Sequence, residues 1–182
     1  MTTEFEVPAR AIGARAGQDA SKVATAYLAG TVTLAQAVTL LVRITLFYRV
    51  QGVALGAWWA GQVAPPVGAP VGGPGAAGEL AARLSDAFAL TLGRDDPGPT
   101  TVRVASNEPV QAAQETVQEV AAENGYRSYT RGLDADPCEL CQWLWKDGYR
   151  YPIDQNMHKH PGCACVPIPS RDEPGRHAGG KR

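Results

Sequence analysis

Residues 138–165 read Cys138-Glu-Leu-Cys141-Gln-Trp143-Leu-Trp145-Lys-Asp147-Gly-Tyr149-Arg-Tyr151-Pro-Ile-Asp154-Gln-Asn156-Met-His158-Lys-His160-Pro-Gly-Cys163-Ala-Cys165. This stretch holds all four cysteines and two of the three histidines of a 182-residue chain. A Cys-x-x-Cys turn lets two thiolates point into one coordination sphere, and the other two ligands of a tetrahedral site come from elsewhere in the fold. Cys138 and Cys141 supply the first half. The second half is over-supplied, because His158, His160, Cys163 and Cys165 are all candidates, and His160-x-x-Cys163 has knuckle-like spacing. The expected ligands are Cys138, Cys141, His160 and Cys163 around one Zn²⁺, with Cys165 as the replacement for one of them. A segment of about 50 residues has little core of its own, so a metal or disulfide staple is the expected compensation. Trp143, Trp145, Tyr149 and Tyr151 then read as the small core that packs round the site.

Two other states of the cysteines compete with a zinc site: unliganded buried thiols, and disulfides formed in an oxidising medium. In a reducing cytoplasm, clustered cysteines point to metal before disulfide. A catalytic zinc keeps an open position beside an acid or base. Asp147 and Asp154 are available, but no His-Glu-x-x-His helix exists, and the deaminase pattern of a Glu next to a His together with a Pro before the second cysteine pair is absent. An HNH-like nuclease built from Asp154, Asn156, His158 and His160 beside a structural zinc is the enzymatic alternative. The dense lysine and arginine that phosphate binding needs are missing from the surroundings. No serine elbow and no phosphate-binding loop appear. The expectation is a non-enzyme.

Moving toward the N-terminus, Pro109 suits the first turn of a helix that runs to about Glu123 and stops at Asn124-Gly125. Gln111, Gln114, Glu115, Gln118 and Glu119 are interleaved there with Val110, Ala113, Val117 and Val120. Thr101 to Ala105 reads as a short strand or as the lead-in to that helix. A helix from about Glu79 to Leu92 carries Leu80, Leu84, Ala87, Phe88 and Leu92 at helical spacing. The charge-free Pro/Gly/Ala/Val tract 65–78 reads as a linker and the main internal boundary. Before it, Thr33 can cap a helix that continues to about Gln62, a span of roughly 45 Å. Its apolar residues (Leu34, Val38, Leu41, Val42, Leu46, Phe47, Val50, Leu55, Trp58 and Trp59) are wider than one stripe, which points to burial in a core or in an assembly. A shorter helix covers about Asp19 to Leu28 and ends at Gly30. Residues 1–16 read as a loosely ordered arm and 170–182 as a mobile tail. The fold class is therefore mainly α with a small α+β zinc-stapled C-terminal module. Its parts are a helical region over 1–64, a linker over 65–78, helices with the Cys/His-rich module over 79–169, and the tail.

Composition narrows the function classes. Apolar residues make up 45% and charged residues 19% of the chain, and the formal net charge is −1, so strong nucleic-acid binding is not expected. The N-terminus shows no basic region followed by an apolar one, so no signal peptide is expected. Arg43 and Arg49 interrupt the most apolar segment, which argues against a membrane span.

The C-terminal order of motifs resembles the phage Mu F-like head morphogenesis family, minor capsid proteins of tailed bacteriophages. The resemblance covers roughly Thr101 to Pro169. It rests on the polar helix from Asn107 to Glu123 followed by Gly125 and Tyr126, on Asp134, Asp136, Cys138 and Cys141, and on His160-Pro-Gly-Cys163-Ala-Cys165 followed by Val166-Pro-Ile-Pro169. Gly-Cys-Ala-Cys stands where the family usually has Asn-Cys-Arg-Cys, and His158 is additional to the motif. Tyr27-Leu-Ala-Gly30 and the helix with Arg43 and Tyr48-Arg49 look like minor head proteins of actinobacterial phages. The resemblance implies a structural role at or near the portal during procapsid assembly or genome delivery. It implies portal, major capsid or scaffold proteins as partners, and a place in the virion, with the host cytoplasm during assembly. Self-association through the long apolar helix is a further expected contact. An adaptor for a host protein is a third reading.

Overall fold

The computed structural model describes residues 2–63 and 75–175. Four helices precede a small sheet: α1 (Thr2–Leu28), α2 (Leu34–Val63), α3 (Gly75–Leu92) and α4 (Pro97–Glu123). Then follow β1 (Ser128–Gly132), α5 (Glu139–Trp145), β2 (Tyr151–Pro152) and β3 (Val166–Ser170). The three strands form an antiparallel sheet in the order β2-β1-β3. Mainly α with a small α+β C-terminal module is thus the architecture.

α2 begins on a capping box. Thr33 N–H donates to Gln36 Oε1 (2.8 Å), and Gln36 N–H donates back to Thr33 Oγ1 (3.3 Å). It ends one residue past the expected boundary. α4 is the centre of the fold, with α1 and α2 packed along it. Gly52 and Gly56 of α2 lie so close to α4 that a Cβ would overlap the carbonyls of Pro109 and Ala113, and Gly13 and Gly17 of α1 lie as close to Ser106. One core joins Ala20 and Val23 of α1, Ala37 and Leu41 of α2, Leu84, Phe88 and Leu92 of α3, and Ala105 of α4. A second joins Phe5, Ala9, Trp59, Val110, Ala113 and Val117 to Val166 of β3. That second core fixes the sheet to the bundle.

Several expectations change. Residues 1–16 are not an arm, because the helix starts at Thr2. Phe5, Ala9, Ile12, Ala16 and Ala20 recur every three or four residues and are all buried, but a stripe made mostly of alanine hardly registers in a hydropathy reading. The helix expected from Pro109 begins twelve residues earlier. Pro97 takes the first-turn position behind the N-cap Asp96, and Pro109 lies inside α4. Thr101 to Ala105 is helix, not strand. Gly75 to Gly78, read as linker, forms the first turn of α3, while the tract 64–74 lies outside the described residues. The cores run across that tract, so it does not separate two folding units. Of the expected tail, Ser170 closes β3, and Asp172 and Glu173 pair with Arg150 and Arg127. Residues 176–182 lie outside the described residues.

Candidate metal centre

Cys138 is the N-cap of α5. Its extended backbone (φ −65°, ψ 163°) turns the chain so that its Sγ accepts the Cys141 N–H at 3.5 Å. The short helix stops where Lys146 and Asp147 adopt left-handed backbone (φ 45° and 53°) and Gly148 follows at φ 80°. The first ligand pair is therefore held by a helix start, as the Cys-x-x-Cys spacing implies.

The second turn comes from the opposite direction. His160 C=O accepts the Cys163 N–H (3.1 Å), and Gly162 supplies the positive φ of 82° that closes the turn. His160 Nδ1 lies 3.2 Å from the Pro161 carbonyl oxygen. Donation there leaves Nε2 as the lone-pair nitrogen, and Nε2 lies 3.0 Å from Cys141 Sγ and 3.2 Å from Cys138 Sγ. Cys163 Sγ is 3.6 Å from Cys141 Sγ.

All five expected ligands are thus gathered in two groups that share Cys141. Cys138, Cys141 and His160 form one, and Cys141, Cys163 and Cys165 the other. Either can hold a metal ion. Metal–sulfur bonds of ~2.3 Å in a tetrahedral site give sulfur–sulfur edges of about 3.8 Å, close to the Cys141–Cys163 separation. Cys141, Cys163 and Cys165 are buried, while Cys138 is exposed at the edge of the site.

Electrostatics at this site depends on Arg131. Its side chain arises from β1 and is 2% exposed, yet it pairs with no carboxylate among the described residues. Its Nη1 lies 3.6 Å from Cys141 Sγ and 3.7 Å from Cys163 Sγ, and its Nη2 donates to the His158 carbonyl. Burial opposes the charge on Arg131, but the three buried thiols outweigh it and raise the guanidinium pKa. Burial pushes the Cys141 thiol up to about 12. A hydrogen bond from Cys165 holds the Cys163 thiol below its ordinary value, and the same bond drives Cys165 upward. Cys141 and Cys165 therefore resist ionisation even beside Arg131, and a bound metal ion would reverse that balance.

The second turn is anchored from below by polar side chains of α4. Gln114 Nε2 donates to the carbonyls of Cys163 (3.1 Å) and Cys165 (2.6 Å). One turn on, Gln118 Nε2 donates to the carbonyls of Ile153 and Gln155, and its Oε1 accepts the Met157 N–H. Asp134 Oδ2 accepts from the Ala164 N–H (3.0 Å) and from Arg10 of α1 (2.9 Å). The available signal was that Gln114 and Gln118 fall on the apolar face of α4, between Val110, Ala113 and Val117. No feature of the pattern singles out Arg131.

Other candidates fall away from the centre. The His158 ring is exposed and contributes only its backbone carbonyl. Asp147, Asp154 and Asn156 are exposed, and no carboxylate belongs to either metal-capable group among the described residues. The aromatic residues do not form one core round the thiols. Tyr151 stacks on Tyr129 at 5.5 Å beside Met157, whereas Trp143 and Trp145 are 66% and 37% exposed. A seven-residue helix turns only one face inward, and Cys141 occupies it.

Compared with known proteins, the chain matches no family model, no curated protein and no solved structure.

Proposed function

We propose that this chain is a non-enzymatic minor capsid or head morphogenesis protein of a tailed phage, acting at or near the portal, with one structural Zn²⁺ closing its C-terminal module. The metal reading is carried by one observation: four further Cys/His side chains gather round Cys141, with a buried guanidinium beside the thiols and no carboxylate within either metal-capable group among the described residues. Thiolate-rich sets with one imidazole select zinc over magnesium or calcium. Cys138, Cys141, His160 and Cys163 are the ligands, and Cys165 hydrogen-bonds to Cys163 as the reserve. Three thiolates and a neutral imidazole leave the centre at a net charge of about −1, which Arg131 balances. A closed site of this kind holds a fold together rather than activating water. The assembly role draws on the order Cys-x-x-Cys then His-Pro-x-Cys-x-Cys behind a polar helix, and on the broad exposed apolar surface of α2.

Elemental analysis of protein purified without a metal-chelating resin is expected to give one zinc per chain. Metal-free protein with free or disulfide-bonded thiols would overturn the metal assignment. For the assembly role, the chain is expected to co-sediment with procapsids or portal and to leave plasmid DNA intact in the presence of Mg²⁺, Mn²⁺ or Zn²⁺. Nicking that is lost in His158→Ala would establish the nuclease instead.

A further inference from the structure

α2 buries Ala37, Leu41, Thr45, Tyr48, Gly52, Gly56, Trp59 and Ala60 against its neighbours. On the opposite side a second row runs the length of the helix: Leu40, Arg43, Phe47, Val50, Ala54, Trp58 and Gly61, spaced by three and four residues. Leu40 is 40%, Phe47 63%, Val50 69% and Trp58 49% exposed. At 100° per residue these seven positions and Gln51 lie within an arc of about 100°. A contiguous apolar row of this length on a surface marks an interface.

The row is complementary to itself when two copies run antiparallel. With a two-fold axis between residues 50 and 51, Phe47 faces Ala54 of the second copy, Leu40 faces Gly61, and Arg43 faces Trp58. Phe47 and Leu40 thus meet the small residues Ala54 and Gly61, Val50 meets Gln51, and Gly61 has nothing within 4 Å of where a Cβ would stand. α2 carries no acidic residue, and Arg43 makes no ion pair among the described residues. The face of an indole is a suitable partner for such a cation. A parallel, in-register pair would instead set Arg43 against Arg43, Phe47 against Phe47 and Trp58 against Trp58. We infer that this face of α2 docks a second copy of the chain as an isologous antiparallel pair. The inference is independent of the metal.

Light scattering coupled to size exclusion, with sedimentation equilibrium on the full chain, tests it. The expected mass is twice 19.2 kDa. Phe47→Glu and Ala54→Phe, which charge the row and fill the facing hole, are each expected to raise the dimer Kd by roughly 30-fold or more, with circular dichroism unchanged. The register has its own signature. Trp58→Glu sets a carboxylate against Arg43 and keeps the dimer, while Arg43→Glu combined with Trp58→Glu separates it. A wild-type chain that stays monomeric overturns the inference, including one that floats with phosphatidylglycerol vesicles, which would mark the row as a bilayer contact. A dimer indifferent to both Phe47→Glu and Ala54→Phe overturns it as well. Loss of the dimer in Trp58→Glu with retention in the double variant overturns the register.

Discussion

Arg131 shows how far one residue can stand from any sequence signal and still govern a site. The cysteines and His160 announce themselves by type and spacing. Arg131 is one of several arginines, on a five-residue strand whose face cannot be assigned from five letters. Only the structure shows it buried between two thiols. Replacing it with methionine keeps much of the volume and removes the counter-charge of the proposed zinc centre. Outer contacts of this kind shift metal affinity by about 10–100-fold. Competition with a chromophoric chelator is expected to show a loss in that range for Arg131→Met and partial recovery for Arg131→Lys; unchanged affinity in Arg131→Met would mean that the guanidinium serves packing alone. Glu115 is a second residue whose role emerged only in three dimensions. Burial pushes its pKa up, but Lys159 at 2.7 Å and Arg49 at 3.1 Å outweigh it and hold the carboxyl below its ordinary value of 4.5. A depressed folded-state pKa stabilises above the unfolded value, and the effect is lost as pH falls through the folded one. The stability difference between wild type and Glu115→Gln, from urea denaturation, is therefore expected to be largest near about pH 7 and to shrink through the acid range below 4.5. A difference independent of pH would assign the effect to shape rather than charge.

At the scale of elements, α2 was legible nearly to the residue because its signals agree: a capping Thr33, a long apolar run and a proline-bearing tract beyond its end. α1 was legible only in its second half. Its first half buries Ala9, Gly13 and Ala16 with only Phe5 and Ile12 as large apolar residues, and alanine and glycine carry little hydropathy and gain their stabilisation from close approach. The start of α4 differs from the expectation for a separate reason. Pro109 looks like a first-turn residue, but Pro97 already holds that place, and the carbonyl of Pro109 is where Gly52 rests. The consequence is a contrast between two glycines within helices. Gly52→Ala forces α2 away from α4, and overpacking of this kind costs about 1–3 kcal/mol or more. Gly78→Ala meets nothing within 4 Å in α3 and removes only the entropic penalty of glycine, a gain of up to about 1 kcal/mol. Denaturant midpoints are expected to move in opposite directions. Similar midpoints for the two variants would show that the α2–α4 contact yields easily. Gln114→Ala belongs to the same scale, since it strips two buried carbonyls on the metal turn of their donor, at about 1–3 kcal/mol.

The whole molecule consists of a helical bundle with its own cores and a small module attached to it. Helix periodicity reveals which residues of an element are buried but not which elements share a core, so the tract 65–78 looked like a boundary although α3 and α4 complete the core begun by α1 and α2. The real seam lies after Glu123, where the module's own apolar cluster amounts to Tyr129, Tyr151 and Met157 with neighbours. Its attachment rests on Val166 in the bundle core, the Gln114 and Gln118 contacts, and the pairs Arg10–Asp134 and Lys159–Glu115. Metal removal should therefore divide the molecule unevenly. A strong chelator is expected to leave far-UV circular dichroism almost unchanged, because α1–α4 carry nearly all the helix and α5 adds only seven residues. Amide exchange is expected to rise sharply over α5 and residues 158–165, where the proposed ligands lie, and to rise less over β3, which Val166 retains. Protection in α2 and in α4 as far as Val110 is expected to persist. Loss of helical signal together with the metal would mean that bundle and module fold as one cooperative unit. Unchanged exchange at 138–165 would mean that the Gln114 and Asp134 contacts close the turn without an ion, and the metal would then be a passenger on a preformed fold.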